Sequence, residues 1–447
     1  MELYRKAYQD LLKWKKESCG STAVMIEGAR RVGKSTLVQT FGKKEYRSCL
    51  IIDFTLFPKE IKDVFENELH DFDSFFQKLS IYYNVPLFIR ESVIIFDEVQ
   101  IYPKARQLIK HLVADGRYDY IETGSLISLK QNVESIVLPS EEEYIQMHPL
   151  DFEEFLLAMG EVNLYSYIKE CYEKKNPVGD AIHRKIMNLF RQYMIVGGMP
   201  QSVLEYIKTK DFGRTDVIKR RILKIYRDDV SKFAKGYESK VLSIFDELPA
   251  QLSKHEKKFR MASLHKNARF RDYENAFMWL SEAKIADVAF NSTDPNVGLG
   301  LYADRMTLKC YMEDTGLLFS HAFYDDVGID NEIYKAILFD KLGINEGMFM
   351  ENIVAQMLTC SGHNLYFYSR ADRINRDQNM EIDFLIKKGE KICPIEVKSS
   401  NYRTHSSLDK FKAKFSKRIG DSYIIYTKDL KVEDGIICLP VYMTALL

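Results

Sequence analysis

The chain has 447 residues, and its 64 Lys and Arg are balanced by 64 Asp and Glu, so the formal net charge is zero. With 46% hydrophobic and 13% aromatic residues it has enough apolar material for several cores, and at roughly 100–200 residues per domain it should form two to four domains. This composition excludes intrinsic disorder, collagen, small disulfide-rich scaffolds and a globally polycationic nucleic-acid binder, but it does not exclude a local basic face.

The sequence carries no signal for a membrane or for an oxidising compartment. No stretch approaches the roughly 18 consecutive apolar residues of a transmembrane helix, and residues 1–17 predict a charged amphipathic helix rather than a signal peptide. The seven cysteines are scattered without a Cys-x-x-Cys pair, which indicates neither a zinc site nor a disulfide framework. We therefore expect a cytoplasmic protein with no membrane partner, and the sequence leaves its oligomeric state open.

Changes of pattern along the chain predict three domains. From about residue 22 to 148, short apolar runs alternate with helical stretches, which is typical of βα units on a mostly parallel sheet. The predicted strands are Ala23–Ile26, Cys49–Phe54, Val93–Phe96, Tyr120–Glu122 and Tyr144–Met147. The pattern is then mainly helical to about residue 340, and strands return from Leu365. The predicted fold class is thus multidomain α/β, with an α/β domain at 1–150, a helical region at 151–340 and a second α/β domain at 341–447.

A phosphate-binding loop follows the first predicted strand. Its G-x-x-x-x-G-K-S motif consists of Gly28, Ala29, Arg30, Arg31, Val32, Gly33, Lys34 and Ser35, with Thr36 continuing into a helix. The glycines let backbone N–H groups surround phosphates at a helix N-terminus, Lys34 reaches the β- and γ-phosphates, and the Ser35 hydroxyl ligates Mg²⁺. The motif predicts a site for ATP and Mg²⁺.

Two acids end the buried strand Val93–Phe96, where a nucleotide hydrolase needs them. Asp97 would hold Mg²⁺ indirectly, and Glu98 would orient and polarise the attacking water. Thr123 and Ser125, at the tip of the next strand, are candidate sensors of the γ-phosphate, and a capped turn is an equally good explanation for them.

The helical region contains a basic segment, residues 254–271, with seven Lys and Arg against one Glu. A helix and a predicted strand pair follow it, and helices before a two-stranded wing are the layout of a winged-helix module, here at about residues 240–315. This layout favours a DNA contact, whereas a solvated face is the ordinary alternative for a run of charges.

The last predicted domain places acids on neighbouring strands. Asp383 and Glu396 lie on the two strands of a predicted hairpin, Lys398 faces the same side as Glu396, and the preceding helix contributes Glu351. Three converging carboxylates suit a second Mg²⁺ or Mn²⁺, with Lys398 orienting a hydroxide. Residues 366–418 also hold 13 Lys and Arg against 7 Asp and Glu, which would favour DNA. An ordinary surface hairpin is the alternative.

Taken together, these motifs resemble those of prokaryotic AAA-type ATPases of the archaeal-ATPase-like kind, which commonly carry a C-terminal uncharacterised domain with a restriction-endonuclease-like core. The matching segments, in order, are Gly28–Thr36, Phe96–Gln100, Thr123–Ser125, His148–Phe155, Val196–Pro200, Tyr311–Leu317, Met350–Asn352, Glu381–Phe384 and Pro394–Lys398. The resemblance implies a P-loop ATPase joined to a domain with the metal-dependent nuclease constellation Glu351, Asp383, Glu396 and Lys398. One departure is that Pro139–Glu143 replaces a Gly-Arg that relatives often have, so any arginine finger must come from Arg30, Arg31 or a later arginine.

Two functions remain open on the sequence alone. The first is a Mg²⁺-dependent ATPase coupled to a nuclease-like domain that acts on DNA. The second is a nucleotide-gated regulatory or interaction protein in which the nuclease-like domain is a non-catalytic platform. The intact Glu98 favours the first function, and the missing Gly-Arg favours the second.

Overall fold

The computed structural model describes residues 2–124, 140–254, 258–323, 334, 346–370, 379–399 and 404–447. The chain divides into two compact units, Glu2–His148 and Pro149–Leu447. The first division lies next to the boundary predicted at residue 150. The boundary predicted at residue 340 lies outside the described residues and stays a prediction, and the second compact unit spans Pro149–Leu447.

The N-terminal unit is built on a parallel sheet. Its elements are α1 Lys6–Ser18, β1 Ala23–Glu27, α2 Lys34–Glu45, β2 Ser48–Asp53, α3 Lys59–Asn67, α4 Phe72–Tyr83, β3 Ser92–Asp97, α5 Pro103–Asp115, β4 Asp119–Gly124 and β5 Glu142–Gln146. The described strands lie in the order β2-β3-β4-β1-β5, and every neighbouring pair is parallel. The parallel α/β sheet predicted for this part of the chain is therefore confirmed.

Apolar residues cover both faces of this sheet. Leu11 of α1 and Phe41 of α2 pack in one cluster with strand residues of one face, and Phe65 of α3 and Leu112 of α5 pack in a second cluster with the other face. Strands buried on both faces need near-continuous apolar runs, as in the SVIIFD sequence of β3, all of which is buried. The carboxyl ends of the strands meet at one edge of the sheet, where loops can place polar groups.

The second unit begins with a long helical region. The described helices of the whole second unit are α6 Phe152–Ala158, α7 Leu164–Lys174, α8 Asp180–Val196, α9 Pro200–Thr209, α10 Phe212–Phe233, α11 Glu238–Ser253, α12 Phe270–Glu282, α13 Thr315–Ala322, α14 Glu346–Cys360 and α15 Ser406–Phe415. Across the part of the chain that the structure describes, in either unit, no helix combines the length and the apolar character needed to span a membrane.

A mixed sheet forms the other half of the second unit. Its strands are β6 Ala286–Ser292, β7 Ala303–Met312, β8 Tyr366–Arg370, β9 Met380–Lys388, β10 Lys391–Val397, β11 Tyr423–Tyr426, β12 Lys431–Glu433 and β13 Ile436–Pro440. In the described residues their order is β12-β13-β11-β10-β9-β8-β6-β7. The hairpin of β6 and β7, which the sequence suggested as the wing of a winged helix, extends this sheet by parallel pairing of β6 with β8.

Candidate functional site

The phosphate-binding loop joins β1 to α2 and depends on two glycines. A Cβ atom at Gly28 would lie 2.2 Å from the carbonyl oxygen of Met147, so no larger residue fits against that backbone. Gly33 has a φ of 103°, in the left-handed region that favours glycine. The Nζ atom of Lys34 is buried within the loop and donates to the carbonyl oxygens of Gly28 at 2.9 Å and Ala29 at 3.0 Å. The loop thus holds its lysine where phosphate oxygens could replace the two carbonyls.

The carboxylate of Asp97 meets the hydroxyl of Ser35 at the ends of β3 and α2. Ser35 Oγ donates to Asp97 Oδ1 at 2.8 Å, and the hydroxyl of Thr123, from the end of β4, donates to the same oxygen. A hydroxyl and a carboxylate at this separation fit Mg²⁺, which is usually held by one or two protein ligands together with substrate phosphates. The residues present therefore fit the metal that the loop implies.

Glu98 follows Asp97 in a left-handed backbone conformation, with φ 56° and ψ 47°. Such a conformation is uncommon for a residue other than glycine and is often found at functional sites. Its amide N–H donates to Thr123 Oγ1 at 3.0 Å, and its carboxylate accepts a hydrogen bond from Gln100 Nε2. The backbone turn and Gln100 together set the direction of the carboxylate.

The structure gives Thr123 a bridging position that the sequence did not reveal. Its buried hydroxyl accepts from the Glu98 amide and donates to Asp97, so it joins the two acids. The other sensor candidate, Ser125, lies outside the described residues. Arg30 and Arg31 are both exposed on the phosphate-binding loop.

A buried ion pair occupies the position of the absent Gly-Arg. Glu142 accepts from Arg106 of α5, with 2.6 Å between Arg106 Nη2 and Glu142 Oε2. Neighbouring Glu122 is fully buried beside the Glu142 carboxylate. Burial, followed by the charge of Glu142, raises the pKa of Glu122 well above its ordinary value. Arg106 is therefore held in a buried ion pair with Glu142 inside the N-terminal unit.

The predicted acids of the second unit surround a lysine. Lys309 Nζ on β7 is completely buried and lies 3.1 Å from Glu351 Oε1, 3.2 Å from Glu381 Oε1 and 3.5 Å from Asp383 Oδ1. Tyr311 OH donates to the same Glu351 oxygen. Burial alone would lower the pKa of Lys309, but the three carboxylates outweigh it and raise this pKa above its ordinary value. The ammonium therefore neutralises the acids.

This arrangement differs from the predicted metal centre. Glu351 and Asp383 come together as expected, but Glu396 is paired with Lys398 at 2.7 Å, and Asp383 Oδ2 accepts from the amide of Val397 at 2.9 Å. Glu381 also contacts Lys309. Across the described parts of both units, no group of three or more His, Cys, Asp or Glu side chains is arranged to hold a metal ion. Sequence reasoning assigned no role to Lys309 or to the hydroxyl of Tyr311.

The two basic segments are only partly described. Residues 255–257 of the first segment, and 371–378 and 400–403 of the second, lie outside the described residues. In α12, Phe277 and Trp279 are buried in the core, and exposed Arg271 lies 3.7 Å from Asp272. The described face of this helix therefore mixes both signs of charge.

Comparison with protein families identifies three segments. Residues 20–156 match the AAA domain family, residues 187–327 match a domain of unknown function (DUF8612), and residues 346–443 match another domain of unknown function (DUF4143). The third match leaves the restriction-endonuclease-like fold of the C-terminal region a prediction. No curated protein matches the chain.

Solved structures show distant likenesses. The Walker-type ATPase paby2304 of Pyrococcus abyssi is 14% identical, with a TM-score of 0.41, over 72% of this chain and 96% of that one. The Drosophila ORC bound to DNA is 14% identical, with a TM-score of 0.30, over 77% and 96%. AMPPCP-bound DnaA from Aquifex aeolicus is 10% identical, with a TM-score of 0.26, over 63% and 89%. The family match and the loop geometry, rather than these likenesses, show that residues 20–156 form an AAA-type P-loop domain.

Proposed function

We propose that the N-terminal unit binds ATP with Mg²⁺ and hydrolyses it. The observation that carries this proposal is the junction of Ser35, Asp97, Thr123 and Glu98 beside the lysine of the phosphate-binding loop. This junction supports the proposal because it brings together a hydroxyl and a carboxylate that suit Mg²⁺, a second carboxylate and the loop lysine at one edge of the sheet. This is the set of groups that phosphoryl transfer to water requires.

Each residue has a separate task in this reaction. Lys34 leaves the carbonyls of Gly28 and Ala29 to pair with the β- and γ-phosphates, and the loop amides bind phosphate oxygens. Ser35 and Asp97 would hold Mg²⁺, which when bound supplies positive charge to the phosphate oxygens. The Glu98 carboxylate accepts a hydrogen bond from the attacking water, and Thr123 keeps Glu98 and Asp97 in register.

Steady-state ATP hydrolysis with three variants tests the proposal. Because a positioned base contributes about 10²–10⁴-fold, Glu98→Gln should lower kcat by about 100-fold or more while ATP still binds. Lys34→Ala should weaken ATP binding itself. Glu91→Gln is the matched control, since Glu91 is an exposed partner of Arg47, and it should hydrolyse ATP like the wild type. Equal turnover by the wild type and Glu98→Gln would contradict the hydrolytic role.

For the second unit, one observation favours the regulatory alternative over the nuclease. A metal-dependent nuclease needs its carboxylates free for a divalent cation, whereas here the Lys309 ammonium already lies among Glu351, Glu381 and Asp383. We therefore propose that this unit is a non-catalytic platform whose partner is controlled by the nucleotide state, with DNA the candidate partner of segments 254–271 and 366–418.

Cleavage of plasmid and single-stranded DNA, with Mg²⁺ or Mn²⁺, separates the two functions. We expect no cleavage by the wild type, and binding of DNA that weakens steeply with salt if the basic segments contact phosphates. Metal-dependent cleavage that disappears in Asp383→Ala would restore the nuclease and exclude the platform. Cleavage that survives Asp383→Ala would come from another site or a contaminant.

A further inference from the structure

Arg5 connects the phosphate-binding loop to the last residue of the N-terminal unit. This arginine precedes α1 in an extended conformation and is 8% exposed. Its Nη1 atom donates to the carbonyl oxygen of Val32 at 2.8 Å, and its Nη2 atom donates to the carbonyl oxygen of His148 at 2.5 Å. One rigid guanidinium therefore holds two backbone carbonyls that are 116 residues apart in the chain.

The same stretch of chain also lies against the start of the loop. Met147 N–H donates to Glu27 O at 2.7 Å, and the Met147 carbonyl is the group that a side chain at Gly28 would strike. The segment Met147–His148 thus contacts the beginning of the loop directly and its Val32 carbonyl through Arg5. A change in the shape of the loop has two routes into this segment.

Two residues further on, in the second unit, the backbone is again held at both of its polar groups. Leu150 N–H donates to Gly198 O at 2.7 Å, and Tyr193 OH donates to Leu150 O at 2.8 Å. Tyr193 OH in turn accepts from Gln356 Nε2 at 3.1 Å, and the amide of Gly198 donates to Asp314 Oδ2 at 2.6 Å. Leu150 is therefore the entry to a buried polar network of the second unit.

We propose that Arg5 is a positioning residue that makes the Met147–His148 segment follow the conformation of the phosphate-binding loop, so that nucleotide binding is transmitted along Pro149 to the Leu150 network. The inference rests on the proposed ATP site. When phosphate draws Lys34 away from the Gly28 and Ala29 carbonyls, the loop backbone rearranges. Because Arg5 donates to Val32 O and to His148 O, it carries the movement of the Val32 carbonyl to His148. Proline fixes φ at residue 149, which removes one of the backbone rotations that could absorb the displacement.

The geometry requires arginine at this position. Its planar fork presents two N–H donors in fixed directions, whereas a lysine ammonium is a compact point charge on a flexible stem. Lysine could satisfy one of the two carbonyls but could not hold both in a fixed relation. Arg5→Lys should therefore preserve folding better than coupling, and Arg5→Met should remove the connection between Val32 and His148 while the direct contact of Met147 with the start of the loop remains.

Hydrogen–deuterium exchange of the full-length chain, with and without ATP and Mg²⁺, measures the coupling. In the wild type, ATP should change the exchange rate of the Leu150 and Gly198 amides by about threefold or more, as well as that of the loop. Arg5→Met should bind ATP within about tenfold of the wild-type Kd, which is about 1.4 kcal/mol, but lose most of the change at Leu150 and Gly198. Arg5→Lys should retain less than half of it. Arg47→Met, which removes an exposed arginine of the same unit, is the control and should match the wild type.

The outcomes separate this inference from the proposed function. A wild type that does not bind ATP overturns the proposed function and the coupling with it. A wild type that binds ATP without any change at Leu150 and Gly198 overturns the coupling alone, as does an Arg5→Met protein that keeps the wild-type change. If Arg5→Met does not fold, Arg5→Lys decides, because a full wild-type response in that variant excludes a role for the arginine fork.

Discussion

The ammonium of Lys309 is the cation of the carboxylate cluster, and its removal should be costly. In Lys309→Met, the acids Glu351, Glu381 and Asp383 keep their positions but lose the charge that neutralises them. Removing one partner of a buried ion pair costs about 3–5 kcal/mol, so the free energy of unfolding should fall by about that amount at pH 7.

The pH dependence of this loss distinguishes charge from packing. The three carboxylates raise the pKa of Lys309 above its ordinary value, so the stability that the charged lysine contributes is fully present at pH 7 and decreases once the pH exceeds the lysine's ordinary pKa of about 10.4. The difference in free energy of unfolding between the wild type and Lys309→Met should therefore be the same at about pH 7 and pH 9 and smaller at about pH 11, which urea unfolding at the three pH values measures. Lys398→Met is the control, since among the described residues that partly exposed lysine pairs with one carboxylate, that of Glu396. Equal losses of unfolding free energy in both variants would contradict the role of Lys309 as the cation that neutralises the three carboxylates.

Among single residues, those of the phosphate-binding loop were predictable from the sequence, whereas the position of Lys309 among the acids was not. Residues of the phosphate-binding loop are consecutive, so their chemistry follows from local backbone geometry, and Asp97 is recognisable from the buried strand before it. Lys309 reaches Glu351 and Asp383 only through the pairing of β6 with β8, which no local pattern specifies. A signal was present, however, because Lys309 interrupts the apolar strand end Leu308–Met312, where a buried lysine needs a partner.

At the scale of elements, the end of α8 and the start of α13 pack without room for a side chain. A Cβ atom at Gly316 would lie 2.4 Å from the Cα atom of Gly197, and backbone cannot yield as a flexible side chain can. Asp314 caps α13 through the Leu317 amide at 2.8 Å and also accepts from Gly198, so it fixes both elements. The two motifs at Val196–Pro200 and Tyr311–Leu317 thus form one junction.

Gly316→Ala should separate these two helices. We expect a loss of about 1–3 kcal/mol in the free energy of unfolding, the usual cost of overpacking, measured by urea denaturation. Gly347→Ala is the matched control, because Gly347 lies in α14 with Ser399 Oγ 4.0 Å from the added Cβ atom. Alanine there should stabilise by about 0.5 kcal/mol through helix propensity. A neutral Gly316→Ala would mean that the junction can open at little cost.

The elements themselves were largely predictable, but their partners were not. The hairpin predicted around Asp383 matches β9 and β10, because it rests on its own strand pattern and turn. The strand pair after α12 was also expected, yet its place in the sheet was not. An isolated wing and a sheet extension share one local sequence pattern, so only the long-range pairing with β8 distinguishes them.

At the scale of the whole molecule, the two compact units should unfold in two steps. Each unit contains its own apolar cluster, one around β1 and β3 and another around Ile382 and Phe411. A ligand that binds only the folded form of one unit stabilises that unit by RT ln(1 + [L]/Kd), or about 2.7 kcal/mol at 100 times Kd. ATP with Mg²⁺ should therefore raise the unfolding temperature of the transition that belongs to Glu2–His148 by several degrees.

Calorimetry of three proteins assigns the transitions. Lys34→Ala should abolish the ATP-dependent rise without moving the other transition, and Lys309→Met should lower the transition of Pro149–Leu447 while the ATP-dependent rise persists. This double dissociation follows from placing the nucleotide site and the lysine-centred cluster in separate cooperative units. A single transition that both variants shift equally would instead show that the chain unfolds as one cooperative unit. The division at His148 would then separate two compact units that do not unfold independently.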